Sequence, residues 1–284
     1  MAFASIIRLL SLAAIWGASF LFMRLAVPEL GPAWLMFGRV LLASLFLAVV
    51  AIGYRRSLPI RQYAGHFLLL SFFNTALPFL LFAYAAQTLT ASLLAVLNAT
   101  APLWGAIIGW LFFRQVMTYK VLAGLLLGIS GVAILVGFDP IVADSAALPA
   151  IAAAAGAACC YGIATWYTRQ ARPVPAFINA HGSMWGATLW LLPVLWFIPL
   201  AETQPATHTI LSVVALGVLC TGVAYLLYFR LVQDIGATPT LTVTFLIPVF
   251  GVMWGHFFFK RNHRLAHPGR GRYCYHRHYA GYRF

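Results

Sequence analysis

Long apolar stretches limit what this chain can fold into more than any other feature. Nine of them, each about 20 residues long, follow one another between residues 6 and 259. A helix of about 20 apolar residues matches the ~30 Å hydrocarbon core of a bilayer. It also satisfies its backbone hydrogen bonds internally, and these stretches lack the strict alternation of a barrel strand. The predicted fold is therefore all-α, a polytopic membrane helix bundle.

Composition and turn residues agree with this fold. Only 8% of the 284 residues are charged, whereas a soluble domain carries about 25%. The nine predicted spans cover residues 6–27, 34–53, 67–86, 91–113, 121–138, 148–167, 176–200, 210–232 and 237–259. Turn-forming pairs lie in the short connections between them: Gly31-Pro32, Asp139-Pro140, Arg172-Pro173 and Gln204-Pro205.

The basic residues predict an orientation. Net charge is +13, but residues 1–259 contribute only +6, from 11 basic and 5 acidic residues. With a cytoplasmic N-terminus, Arg24 falls at the outer face and nine basic residues fall at the cytoplasmic face: Arg8, Arg55, Arg56, Arg61, Arg114, Lys120, Arg169, Arg172 and Arg230. Cytoplasmic loops are enriched in Lys and Arg. We therefore expect a multi-pass protein of the cell inner membrane, and no nucleic-acid partner.

Two parts of the chain resemble each other at a constant spacing of 146 residues. The matched pairs include Pro102 and Pro248, Gly105 and Gly251, and Gly109 and Gly255. Five spans separate the fourth span from the ninth, so the matched spans cross the membrane in opposite senses. This pattern predicts an inverted repeat of two five-helix units, as in many secondary transporters. The first unit covers 1–140 with five spans and the second covers 141–259 with four. Chance similarity of two apolar helices is the alternative.

The C-terminal tail, 260–284, does not fit this plan. Seven of the 18 Lys and Arg residues lie there, on the side that the topology predicts to be external, and no tenth span follows. Codons for these residues, read one nucleotide later, permit an acidic loop followed by a glycine-containing apolar helix. We therefore predict a frameshift near residue 259, either genuine or from sequencing. A natural basic tail that binds lipid or nucleic acid is the alternative.

Several motifs are similar to those of one family. They are Trp16-Gly17-Ala18-Ser19-Phe20, Pro32 followed by Arg39, Ala91-Ser92 followed by Pro102 and Phe112-Phe113, and Tyr225-Leu226-Leu227-Tyr228 followed by Gly236-Ala237-Thr238 and Pro248. Over residues 5–259 the chain resembles the EamA-type permeases of the drug/metabolite transporter superfamily. The resemblance implies ten helices, cytoplasmic termini and a central cavity between the halves. The family usually has a glutamate after the fourth and ninth spans, where this chain has Arg114-Gln115 and Lys260-Arg261.

Polar and aromatic residues inside the spans are the candidates for a substrate site, because transporter sites lie near the midplane between repeats. The cavity candidates are Trp16, Ser19, Arg39, Asn74, Tyr84, Asn98, Tyr161, His181, Tyr225 and Tyr228, and Trp166 is a further aromatic. Arg39 either holds an anionic substrate group, or snorkels outward or caps helix carbonyls. The amides and aromatics either line the cavity or pack between helices. His181 either carries a proton or is a satisfied core histidine.

Two prolines and two glycine pairs complete the sites of interest. Pro102 and Pro248 are predicted to kink their helices, and the glycine pairs of the repeat are interpreted as close-packing GxxxG faces. The spans contain no pair of carboxylates, no metal-ligand cluster and no nucleotide-binding loop, so we expect neither a catalytic residue nor a metal or other cofactor.

The expected function is transport of a small organic metabolite by alternating access, with export implied by the resemblance. The expected partners are the small-molecule substrate and the lipid bilayer, and a homodimer is left open. A lipid-modifying membrane enzyme and a non-functional truncated permease are the alternatives.

Overall fold

The computed structural model describes residues 3–114, 147–199, 204–235 and 243–265, with isolated positions at 119, 123, 124, 126, 127, 130 and 240. These residues form helices, and no strand occurs among them. Most of the predicted fifth span, 121–138, and all of the tail beyond 265 lie outside the described residues. The predicted frameshift therefore concerns residues of which the structure describes only the first few.

The first two predicted spans form one interrupted helix, α1 (Phe3–Gly53). The interruption is at Gly31, whose φ of 68° and ψ of 166° are not helical. A positive φ is easily adopted only by glycine, because a Cβ atom would clash with the backbone. Pro32 then opens the second arm of α1, in the first-turn position where its missing N–H is not needed. The predicted Gly31-Pro32 connection is thus confirmed at this position.

The remaining helices follow in chain order. They are α2 (Ile60–Ala85), α3 (Ala91–Asn98), α4 (Ala101–Phe113), α5 (Ala147–Gln170), α6 (Ala176–Trp196), α7 (Thr207–Ile235) and α8 (Val243–Leu265). Within the described part of the chain, five helical segments are long and apolar enough to cross a membrane: α1, α2, the 91–112 segment, α5 and α7. Helix α6 carries polar residues such as Asn179, and only 243–257 of α8 forms a shorter apolar stretch. Nine separate spans therefore stay a prediction.

Helix α1 lies in the middle of the bundle. It packs against α8, α7, α6, α2 and α3. The largest core cluster combines apolar side chains of these helices and α5, among them Met36, Phe82, Leu94 and Leu216. Polar atoms inside the bundle are bonded mainly to helix carbonyls, as in Ser44 Oγ to the Val40 oxygen at 2.8 Å. Apolar burial and internal satisfaction of polar groups thus shape the bundle together.

Small residues allow α6 and α2 to approach closely. A Cβ added to Gly182 would lie 2.5 Å from the Phe67 ring, and one added to Gly186 would lie 2.5 Å from Ser71 Oγ. Any larger residue at either glycine would push the two helices apart. Glycine is therefore required here by packing and not by backbone conformation.

The crossing of α1 and α7 uses the same pattern. A Cβ on Gly38 would lie 3.0 Å from Val213 Cγ1, and a Cβ on Gly217 would lie 2.6 Å from Leu42 Cβ. Gly38 and Leu42 lie 144 positions before Gly182 and Gly186 of the α6–α2 crossing. Val213 and Gly217 lie 146 positions after its Phe67 and Ser71. The fold therefore contains the same close helix contact twice.

Candidate functional site

A central cavity of about 1100 Å³ lies between α1, α2, α4, α5, α6, α7 and α8. Eight of the ten predicted cavity residues line it: Trp16, Ser19, Arg39, Asn74, Asn98, Tyr161, Tyr225 and Tyr228. Trp166 and Pro102 line it too. Residues that are spread over more than 200 positions of the sequence thus meet around one space. The volume suits an organic molecule of metabolite or drug size.

The cavity lining runs from buried side chains to exposed ones. Its deep end contains buried side chains, including Met23, Arg39 and Phe82. Its exposed lining residues include Arg169 and Ala176 at the connection between α5 and α6, a part that we call the mouth, and also Trp110 and Phe245. The lining thus extends from the surface of the bundle to its buried residues.

Arg39 is held at the deep end by two neighbouring side chains, Thr221 and Phe79. Its Nε donates a hydrogen bond to Thr221 Oγ1 at 3.0 Å, and Thr221 donates in turn to the Leu216 carbonyl at 2.8 Å. The guanidinium carbon lies 3.9 Å from the centre of the Phe79 ring, in cation–π geometry. Only 6% of Arg39 is exposed. The side chain is therefore fixed in place and neither snorkels nor caps a helix.

The charge of Arg39 has no carboxylate partner within the described part of the chain. Of the two carboxylates described there, Glu29 pairs with His208, and Asp234 pairs with Arg8 and Arg230. The terminal nitrogens Nη1 and Nη2 of Arg39 make no hydrogen bond to described residues, and the side chain lines the cavity. A buried cation normally requires a counter-charge. The geometry leaves that position open to a molecule in the cavity.

Aromatic rings form a large part of the cavity wall. The rings of Trp16 and Tyr228 lie 5.9 Å apart, and those of Phe82 and Tyr161 are stacked at 6.2 Å. Trp166 is oriented by a hydrogen bond from its Nε1 to the Gly105 carbonyl at 2.6 Å. Each ring pair joins one of the first four predicted spans to one of the later ones. The cavity can thus contact the apolar body of a solute from both sides.

Two π-helical segments carry polar groups at or next to the cavity. The first, Phe72–Ala76 in α2, carries Asn74, which lines the cavity, and the second, Ala215–Val223 in α7, carries Thr221, which binds Arg39. A π turn widens the helix locally and redirects side chains, and it is frequent at functional sites. Thr75 of the first segment and Thr221 of the second are again 146 residues apart. No pattern in the sequence had indicated these segments.

Two predicted cavity residues lie elsewhere. Tyr84 is 48% exposed and is not among the residues that line the cavity. His181 is buried in α6, where its Nε2 accepts a hydrogen bond from Trp185 at 3.0 Å and its ring packs against Phe177. The structure therefore agrees with the core-histidine interpretation of His181 and not with a cavity position.

The two prolines predicted as kinks behave differently from each other. Residues 99 and 100 separate α3 from α4, and Pro102 follows in the first turn of α4, so the helix breaks before the proline. Pro248 lies inside the continuous helix α8. A first-turn proline needs no hydrogen-bond acceptor, which explains why Pro102 is tolerated without a kink.

A polar cluster beside the cavity was missed from the sequence. His66 contacts the Tyr167 hydroxyl through Nδ1 and the Asn179 Oδ1 through Nε2, both at 3.0 Å. Asn179 lines the cavity. Only the three-dimensional packing of α2, α5 and α6 brings these residues together. A histidine near the start of an apolar span, such as His66, is still a feature from which a polar cluster could have been predicted.

Hydrogen bonds between distant parts of the chain hold the end of the bundle that lies away from Arg169. The Ala206 N–H donates to Glu29 Oε2 at 2.9 Å, and His208 Nε2 lies 3.5 Å from Glu29 Oε1. Nearby, Trp34 Nε1 donates to the Ile198 carbonyl at 3.0 Å. We call this group, formed by Glu29, Trp34, Ile198, Ala206 and His208, the outer latch. It connects the two arms of α1 to the connection between α6 and α7.

No metal site accompanies the cavity in the part of the chain that is described. No group of three or more His, Cys, Asp or Glu side chains lies close enough there to bind a metal ion.

Comparison with known proteins identifies the family. The EamA-like transporter family matches residues 4–137 and 148–267 of the chain. The chain belongs to the EamA-like transporter family. The bundle and its central cavity are therefore those of a membrane transporter, in agreement with the resemblance inferred from the motifs.

Relatives of this EamA-like transporter come from Bacillus subtilis (strain 168). The uncharacterized transporter YvbV is 23% identical, over 85% of this chain and 79% of its own length. YoaV, also an uncharacterized transporter, is 21% identical over 87% and 86%, and YdfC is 24% identical over 84% and 78%. A solved crystal structure of a protein with 17% identity has the same fold, with a TM-score of 0.63 over 90% of this chain and 89% of that one.

Proposed function

We propose that this EamA-like protein is a secondary transporter that exports a small organic metabolite across the cell inner membrane by alternating access. In this proposal the two halves of the chain rock about the central cavity. The cavity then opens first to one face of the membrane and later to the other. The N-terminus lies in the cytoplasm.

The observation that carries the proposal is a cavity lined by residues from both halves of the chain. Deep residues such as Met23 and Phe82 are buried, whereas Arg169 at the mouth is exposed. The outer latch ties the halves together at the opposite end of the bundle. A site between two halves that are tied together at one end fits an alternating-access cycle.

The repeated helix crossing supports the movement of two similar halves. The α6–α2 and α1–α7 contacts use residues 144 or 146 positions apart. In addition, Ser44 and Thr188, which are 144 positions apart, hydrogen-bond each other at 3.2 Å and are both buried. A contact between equivalent residues is expected at an axis that relates two repeats. These contacts support the inverted repeat of 1–140 and 141–259.

Ion pairs support the predicted orientation. Arg8 near the start of α1 pairs with Asp234 at the end of α7, and Arg230 Nε lies 3.3 Å from Asp234. The start of α1 and the end of α7 therefore lie at the same face of the bundle, and basic side chains lie there too. Basic residues favour the cytoplasmic side of a membrane. The mouth, which lies beside Arg169, would then face the cytoplasm, as an exporter awaiting its substrate requires.

The proposal can be tested in reconstituted vesicles. Proteoliposomes are loaded with a panel of labelled amino acids and aromatic carboxylates, and the efflux of each is compared with that of protein-free liposomes. We expect at least one solute to leave faster and with saturable kinetics. Ala101→Trp should abolish this efflux by filling the cavity that Ala101 lines, whereas Ala152→Trp, at an exposed position of α5, should not. Efflux at the protein-free rate for every solute would contradict the proposal.

A further inference from the structure

We infer that the substrate carries one carboxylate, which Arg39 binds with the free edge of its guanidinium, and an apolar or aromatic body. This inference deepens the proposed function and rests on it. It names the chemical class of the substrate from the groups that surround the cavity, and it follows in three steps from the arrangement of Arg39.

The first step concerns the geometry of the cation. Nε is occupied by Thr221 at 3.0 Å, and the flat face of the guanidinium lies on the Phe79 ring at 3.9 Å. Nη1 and Nη2 have no partner among the described residues. They form the end of the guanidinium that points away from Nε. Two parallel N–H donors match the two oxygens of a carboxylate, whereas a lysine would offer only a point charge. The preset orientation therefore favours a planar anion.

The second step concerns the amount of charge. Arg39 is the one buried lysine or arginine of the described residues, and the second basic residue of the cavity lining, Arg169, is exposed at the mouth. A single buried positive charge balances a single negative charge. A phosphate monoester carries about −1.5 to −2 charges at neutral pH. Such a group would leave charge unbalanced at the deep end, so a carboxylate fits better.

The third step concerns the rest of the molecule. The cavity lining contains the ring pairs Trp16–Tyr228 and Phe82–Tyr161, and its polar side chains include Asn74, Asn98, Asn179, Ser19 and Ser183. Rings bury apolar area, and the amides offer both donors and acceptors. The lining therefore fits an amphipathic monocarboxylate, and its buried cation disfavours a polyamine.

Binding to matched probes tests this inference. Hexanoate, phenylpropionate and indolepropionate are compared with their neutral amides and with phenethyl phosphate, using thermal unfolding of the purified full-length protein in detergent. We expect at least one carboxylate to raise the unfolding temperature and to bind about tenfold or more tightly than its amide, as a charge-assisted hydrogen bond should. Phenethyl phosphate should bind more weakly than phenylpropionate. Amides that bind as well as all three carboxylates, or tighter binding of the phosphate, would overturn the inference.

Variants of Arg39 assign the preference to this residue. In Arg39→Gln the carboxylate and its amide should bind equally, and Arg39→Lys should recover only part of the difference. Arg230→Gln, which removes an exposed charge at the end of α7, is the control and should keep the full preference. If Arg39→Gln does not fold, Thr221→Val keeps the cation but frees its Nε, and it should weaken carboxylate binding more than amide binding. A full preference in Arg39→Gln, or in Thr221→Val where that is the variant tested, would overturn the inference.

The efflux and binding experiments together distinguish a failure of this inference from a failure of the proposed function. Saturable efflux of a neutral or cationic solute, together with no preference for carboxylates, would leave a transporter of another substrate class. Arg39-dependent binding of a carboxylate without efflux from proteoliposomes would keep the site and would contradict transport.

Discussion

At the scale of single residues, the account depends on how polar atoms are satisfied inside the bundle. Thr221 and Thr75 are both fully buried threonines on π-helical segments, 146 positions apart. Thr221 accepts a hydrogen bond from Arg39 and donates one to a carbonyl, whereas the Thr75 hydroxyl has no partner among the described residues. The same residue type in two equivalent places thus has different energetic roles.

This difference predicts opposite effects of one substitution. Thr221→Val should lower the free energy of unfolding by about 1–3 kcal/mol, because it leaves the Nε of a buried cation without an acceptor. Thr75→Val should be neutral or slightly stabilising, because it removes a buried hydroxyl that makes no hydrogen bond. Denaturation of both variants in detergent measures the difference, and equal losses of stability would show that Thr221 does not hold Arg39.

Single positions also show where reasoning from the sequence ends. A polar residue inside an apolar span can be recognised without a structure, and eight of ten such candidates line the cavity. Tyr84 and His181 do not, because lipid-facing and core-facing sides of these helices are similarly apolar and the sequence does not indicate the face. Phe79, which stacks on Arg39, looked like any other apolar residue of the span.

At the scale of helices, close contacts and helix interruptions define the site. The turn pair at Gly31-Pro32 could be predicted, because glycine and proline have strong local preferences. The π-helical segments could not, since they result from packing between helices. The crossing at Gly217 was also not predicted, although its residues repeat at the same spacing as the proline and glycine motifs.

The helix crossing gives a second prediction. Gly217→Ala places a Cβ at 2.6 Å from Leu42 Cβ and 2.9 Å from the Arg39 carbonyl. Overpacking of this kind should destabilise the protein by about 1–3 kcal/mol. The matched control is Gly65→Ala, an exposed helical position where nothing lies within 4 Å of the added Cβ. It should stabilise by about 0.5–1 kcal/mol through helix propensity. Thermal unfolding in detergent distinguishes them, and a stable Gly217→Ala protein would contradict the close contact.

At the scale of the whole molecule, the bundle fold and the family could both be predicted from the sequence. The length and apolarity of the stretches determine the fold class, because only helices and closed barrels satisfy their backbone hydrogen bonds within a bilayer. The outer latch could not be predicted, since it joins Glu29 to residues 206 and 208, and its carboxylate–amide contact exists only in the assembled bundle.

The tail gives a third prediction at this scale. Resequencing the gene across codons 255 to 284 should reveal one nucleotide lost or gained, which restores an acidic loop and a tenth apolar helix. An unchanged gene sequence would contradict the frameshift.

The central claim is that one cavity is reached from both faces of the membrane. The measurement is the labelling of Ser19→Cys with a membrane-impermeant maleimide, in right-side-out and inside-out vesicles, after the native cysteines have been replaced by serine. Ser19 lines the cavity, and Glu29 belongs to the outer latch. We expect labelling from both faces, faster from the cytoplasmic face, and faster outer labelling in Glu29→Ala. Labelling from one face only, in both proteins, would contradict alternating access.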